Sequence, residues 1–162
     1  MQSSILGTCE AHTTKLICAY AAADYRWEYL GDWRNLSVGE PVPELLNFYP
    51  DAHHFGLVSA WDPSSIPRPE EVNRLADESL QEQLITSGYP FRAAFSSAAN
   101  RSWREPGWLV VDMPAEEFDT LSRSYGQLAT LYWPAHDAVR LRVDAARPAD
   151  FKSNPVIDWL RG

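Results

Sequence analysis

The chain has 162 residues, 45% of them hydrophobic and 12% aromatic, with a formal net charge of −8. That length suits one domain able to bury about two thirds of its unfolded surface. No apolar run approaches the roughly 20 residues of a membrane span, and the acid excess disfavours direct contact with nucleic acid or anionic lipid.

Residues 1–12 read as a flexible N-terminus, residues 13–147 as a single α+β domain, and residues 148–162 as a tail packed on that domain. Thr13 and Thr14 are placed to cap a short helix, Lys15 to Ala23, with Leu16, Ile17 and Tyr20 as its apolar stripe. Cys18 falls inside this run and reads as a small core residue. With Cys9 it makes two cysteines at no zinc or redox spacing. Tyr25 to Leu30 alternates aromatic with charged residues, the pattern of a half-buried strand. Gly31 to Gly39 reads as a turn or short extension, and Pro41 to Phe48 as a short helix ended by Pro50-Asp51.

Phe55 to Trp61 is apolar on both parities apart from Ser59, as in a strand covered on one face or both. Asp62-Pro63-Ser64-Ser65 breaks it, because Asp and Ser side chains fold back on nearby backbone N–H groups. A helix over residues 69–87 follows. Pro69 suits its first position, Glu70 and Glu71 complement its positive end, and Gly88 is its left-handed stop. Val72, Leu75, Ala76, Leu80 and Leu84 are its expected buried stripe. Pro90 to Ser97 reads as a strand, Ser96 to Pro106 as a polar loop containing one Trp, and Trp108 to Met113 as a second buried strand. Pro114 opens a helix lined by Phe118, Leu121 and Tyr125 and stopped by Gly126. Ala129 to Trp133 and Ala138 to Val143 form a closing hairpin, with Val139, Leu141 and Val143 facing one way and Arg140 and Arg142 the other. Val156, Ile157, Trp159 and Leu160 read as a final helical turn. The order predicts an α+β fold: one mixed or mainly antiparallel sheet with helices packed largely on one face.

The charge is uneven. Residues 1–90 carry five Lys or Arg against thirteen Asp or Glu, whereas residues 91–162 carry nine of each. An acidic face on elements from the first half is therefore expected. The N-terminus lacks the basic region and long apolar core of a signal peptide, so a soluble cytoplasmic protein is expected.

No nucleophile elbow, phosphate loop, zinc-binding helix or dinucleotide fingerprint is present. His53 and His54 are adjacent, so on a strand their rings diverge and a shared metal is disfavoured. No catalytic residue, metal site or cofactor is assigned. The best ligand candidate is the turn after the central strand, where open sheets tend to place ligands. Trp61 offers a flat face, Asp62 a charge, Ser64 and Ser65 hydroxyls, and Asn73 lies about one turn into the following helix. Asp62, Glu70 and Glu71 repel a phosphate there, so a neutral, cationic or metal-bridged ligand fits better.

Ala60-Trp61-Asp62-Pro63 with Ser64 or Ser65, Asn73-Arg74, Gly88-Tyr89, Glu105-Pro106 and Tyr125-Gly126-Gln127 together resemble a bacterial family, domain of unknown function 3293. The resemblance covers roughly residues 16–143. It implies a common fold and a shared polar cluster, and it adds Glu105 and Gln127 to the candidate binding residues. Asp62 stands where the family usually has Asn, and Leu128 where Asn usually follows Gln. Each change removes an amide from that cluster.

Two functional readings follow. The first is a non-enzymatic binding protein whose acidic half docks a basic protein partner, as an inhibitor, immunity protein or regulator does. The alternative is a small-molecule-binding domain or enzyme centred on Trp61, Asp62, Ser64, Asn73, Glu105 and Gln127.

Overall fold

Tyr25, Trp27 and Tyr29 alternate with Arg26 and Glu28, and this period of two produces strand β1, Asp24–Tyr29. Leu30 and Gly31, both at positive φ, turn the chain directly into β2, Asp32–Leu36. The segment expected to be mostly turn is thus an edge strand. The computed structural model describes residues 2–98 and 104–162, with only the backbone given for residues 2–9. The remaining elements are α1 (Gln2–Ala22), α2 (Pro43–Phe48), β3 (His54–Val58), α3 (Glu70–Ser87), β4 (Phe91–Ser97), β5 (Arg104–Val111), α4 (Ala115–Ser124), β6 (Ala129–Pro134), β7 (Leu141–Ala146) and β8 (Ile157–Arg161).

The strands form one open eight-stranded sheet in the order β2-β1-β4-β5-β3-β6-β7-β8. Every pairing is antiparallel except the last, β7 with β8. This is an α+β fold with a mixed, mostly antiparallel sheet. Strand alternation divides the core between the two faces. On one face Phe55, Leu57, Leu109, Leu131, Trp133 and Leu141 pack with Ile17 of α1 and Leu45 of α2. On the other, Val58, Val110 and Tyr132 pack with Leu80 and Leu84 of α3 and Phe118 and Leu121 of α4. The two amphipathic helices α3 and α4 therefore share one face, while α1 and α2 cover part of the opposite one.

Four local expectations change. Helix α1 begins at Gln2, well before Lys15, and Cys18 is exposed on it, because Ile17 takes the buried position one residue earlier. The phase of α3 is set by Asn73, Leu80 and Leu84, which are buried, so Val72 and Leu75 lie one position off and are exposed. The C-terminal segment is strand β8, not a helical turn. The free edge of β7 needs hydrogen-bonding partners, and β8 supplies them in parallel register from Leu141↔Ile157 to Val143↔Trp159. Arg140 clamps this edge through two hydrogen bonds to the Asp158 carboxylate, at 2.8 and 2.6 Å. Finally, β4 and β5 extend into the expected polar loop as far as Ser97 and from Arg104. The Trp of that loop, Trp103, lies outside the described residues.

Among the described residues no helix is long and apolar enough to cross a membrane. At the sheet centre, Gly56 of β3 sits under Phe118 of α4, and a Cβ there would lie 2.5 Å from the ring. Phe118 is fully buried and has no room to withdraw. Gly56→Ala is therefore expected to destabilise the protein by about 1–3 kcal/mol. Urea unfolding should show that Phe118→Leu relieves part of this loss, so that the double variant is less destabilised than the sum of the singles.

Candidate functional site

The chain leaves β3 through a tightly held corner. Ser59 ends the ladder: its hydroxyl donates to the Pro106 carbonyl at 2.8 Å and accepts the Trp61 N–H at 2.9 Å. Asp62, Ser64 and Ser65 then adopt positive φ values of 39°, 55° and 60°, a sparsely populated region for residues with a side chain. Surrounding hydrogen bonds hold them there. The Ser64 N–H donates to the Gly126 carbonyl at 2.9 Å and the Ser65 N–H to the Asp62 carbonyl at 2.8 Å. Gly126 sits at φ 66°, where a Cβ would press on Pro63 at 3.0 Å.

Asp62 and Asn73 exchange hydrogen bonds across this corner. The Asp62 N–H donates to Asn73 Oδ1 at 2.9 Å, and Asn73 Nδ2 donates to Asp62 Oδ1 at 2.7 Å. Arg68 completes the set: its N–H reaches Asp62 Oδ1, its Nε donates to Asn73 Oδ1 and its Nη2 to the Ala60 carbonyl. Asn73 is only 2% exposed. Asp62 and Asn73 thus spend polar atoms on fastening α3 to the chain leaving β3, while the Ser64 hydroxyl, like its N–H, donates to the Gly126 carbonyl after α4.

Glu105 and Gln127 lie together on the other side of the strand layer, facing α1. Tyr25, Ser96 and Glu105 stand opposite one another in register across β1, β4 and β5. With Tyr20 of α1, Ser59 and Gln127 they line a small cavity of about 30 Å³, room for a water molecule or two. The Tyr25 hydroxyl donates to the Tyr20 carbonyl, and Gln127 Nε2 donates to the Trp61 carbonyl at 3.2 Å. Burial, and then the negative charge of Asp62, push the Glu105 carboxyl up to about 7. Burial first, with Glu105 second for Tyr20 and third for Tyr25, raises both phenols as well.

Trp61 turns away from this cavity. Half-buried, it lines a groove of about 400 Å³ on the α3 side of the sheet, with Trp33, Phe95, Trp108 and Asp77. The seven candidate residues therefore divide into three places: Trp61 in an aromatic groove, Asp62, Ser64, Ser65 and Asn73 in the corner, and Glu105 with Gln127 in the inner cavity. Gln127 links two of them through the Trp61 carbonyl. Leu128 packs against the α1-side core, which explains an apolar residue at that position. Sequence reading missed Arg68, Tyr20, Tyr25, Ser59 and Ser96. A signal did exist for Ser96: in Phe91–Ser97 it shares parity with Ala94, so alternation places a hydroxyl on the buried side.

A larger concavity separates α3 from α4. It measures about 640 Å³ and is lined by Met113 and Leu121 beneath, with Gln83, Glu116, Glu117 and Thr120 around it. Glu82 borders an adjoining hollow beside Glu117. Tyr125 spans the helices by bonding Ser79 and Gln83, and Tyr89 bonds Glu117. No group of three or more metal-ligating side chains occurs among the described residues. His54 stacks on Tyr132 while His53 is largely exposed beside Asp112, so the two rings diverge.

Two outcomes test this geometry. Asn73→Ala leaves the Asp62 backbone N–H and carboxylate short of partners and is expected to cost about 1–3 kcal/mol in urea unfolding. For Glu105 the sign follows from its raised value: the folded state holds the proton more tightly than the unfolded chain, whose ordinary glutamate value is 4.5. Its favourable contribution is complete below pH 4.5 and is lost as pH rises toward 7. Glu105→Gln should remove that decline, and Asp62→Asn should shrink it and end it at a lower pH; identical wild-type and Glu105→Gln profiles would refute the assignment.

No curated protein and no solved structure matches the chain. Residues 58–130 contain β3's exit, the corner, α3, Glu105 and Gln127, and every motif that carried the resemblance lies among them. This segment matches the family model described as Protein of unknown function (DUF3293).

Proposed function

We propose that the protein is a non-enzymatic docking module that binds a basic, amphipathic segment of another protein along the α3–α4 face. The observation that carries this reading is the groove between the two helices. Its floor is apolar, from Met113 and Leu121. Glu82, Glu116 and Glu117 stand on its banks, and among the described residues no Lys or Arg lines it.

The surrounding surface has the same character. Helices α3 and α4 carry eight carboxylates against two arginines, and Arg74 is neutralised by Glu71 and Glu78 at 2.6 and 2.8 Å. Val72, Leu75 and Ile85 are exposed on α3 between those acids. Apolar side chains ringed by carboxylates suit a partner that presents apolar knobs flanked by Lys or Arg, with charge guiding the encounter and apolar burial holding it. The acidic bias expected from the first half of the chain is here extended by α4, from the second half. An inhibitory, immunity or regulatory role fits a module of this kind. The small-molecule reading gains less support, because its residues divide among three places.

Fluorescence anisotropy with a labelled synthetic Leu/Lys amphipathic helix provides the test. Glu116→Lys with Glu117→Lys is expected to weaken binding about tenfold or more, equivalent to about 1.4 kcal/mol. Glu40→Lys with Asp51→Lys changes net charge equally but lies elsewhere, and should leave affinity nearly intact. Equal losses from the two pairs would show only diffuse attraction to an acidic protein and would sink the proposal.

A further inference from the structure

The inner cavity beneath α1 is not used by the docking surface, which lies on the opposite face of the sheet. Its lining is unusual for a space of about 30 Å³. Oxygen-bearing side chains enter it from separate elements: Tyr20 from α1, Ser59 from the end of β3, Ser96 from β4, Glu105 from β5 and Gln127 from the turn before β6. The Ser59 hydroxyl is committed to Pro106 and Trp61. Ser96 is only 9% exposed, stands directly opposite Glu105, and its hydroxyl has no hydrogen-bond partner among the described residues. Gln127 is equally buried; its amide nitrogen donates to carbonyls, which leaves its Oε1 as an acceptor. Glu105 accepts no hydrogen bond among the described residues, and no Lys or Arg lines the space.

A carboxylate, an amide oxygen and a hydroxyl on residues lining one space, with no Lys or Arg in that lining among the described residues, are a set of hard oxygen donors with one negative charge among them. Three carboxylates would be wanted for a tight divalent site, and they are not there. We propose that this cavity binds a monovalent cation of potassium or ammonium size, held by Glu105 with Gln127 Oε1 and the Ser96 hydroxyl. The cation supplies the positive charge that burial of the Glu105 carboxylate otherwise lacks. Among the described residues, the charged and titratable groups facing Glu105 are Asp62 from the corner, Tyr20 from α1 and Tyr25 from β1, none of them cationic. Binding therefore competes directly with protonation of Glu105.

The competition gives a quantitative test on the unmodified protein. Carboxyl-carbon NMR follows the Glu105 titration in potassium or ammonium chloride, and in choline chloride at matched ionic strength, choline being too large to enter. Once the cation exceeds its dissociation constant, each tenfold increase is expected to lower the titration midpoint by about one pH unit. Choline should leave it unmoved. At pH 8, potassium should also raise the melting temperature above that in choline, climbing with the logarithm of its concentration above the dissociation constant in the wild type and not in Glu105→Gln; Ser96→Ala should need more cation for the same rise. A midpoint that responds equally to potassium and choline, or to neither, overturns the proposal and leaves a water-filled cavity. The peptide-binding test above reads a different face, so each proposal can fail without the other.

Discussion

The exchange of hydrogen bonds between Asp62 and Asn73 holds the architecture at its most strained point. Three successive features depend on it: the end of β3, a corner with three positive-φ residues, and the entry into α3. An Asn inside a helix is ordinarily neutral or unfavourable, because its side chain competes for backbone groups. Here that competition is put to use. Asn73 reaches out of the first turn of α3 to the Asp62 backbone and carboxylate, and Arg68 bridges both to the Ala60 carbonyl just past the strand. Buried, mutually satisfied polar groups of this kind specify one arrangement where apolar contacts alone would tolerate several.

The clamp also sets the rotation of α3, and the helix surface follows from that. With Asn73, Leu80 and Leu84 turned inward, Val72, Leu75 and Ile85 must face outward among Glu71, Glu78 and Glu82. One interaction at the helix start thereby decides which apolar groups stabilise the core and which remain on the surface. On the far side, α4 is pinned by the Phe118 ring over Gly56 and by Asp119, whose carboxylate takes two hydrogen bonds from Arg142 at 2.7 Å each. Fixed separately on the sheet and joined through Tyr125 and Tyr89, the two helices leave an acidic channel between them.

The two faces of the sheet consequently have different chemistry. The α3–α4 face concentrates carboxylates around an apolar floor, in contact with solvent. The α1–α2 face is mostly a large aromatic and aliphatic core, broken near β5 by a few inward oxygen donors. Glu105 belongs to this second setting. Its carboxyl is costly to ionise there because water is largely excluded and Asp62 is already charged. That cost ties any occupant of the cavity to the protonation of a single group.

Local pattern alone determined much of this. Periodicity and end signals located β1, α2, α3, β4, α4 and the side-chain alternation over residues 139–143, because helix caps, Pro and Gly restrictions and strand alternation act within a few residues. The motifs around Trp61, Glu105 and Gln127 marked the segment shared with the family. What alternation and capping do not encode is which strand lies beside which. The tail became β8 only because β7 had an open edge, and Cys18 became exposed only because Ile17 met the sheet first. The candidate residues were likewise legible one by one, yet their grouping was not: the sheet itself stands between Trp61 and Glu105, because parity along β5 turns Glu105 toward α1 while the bend after Val58 carries Trp61 to the α3 side.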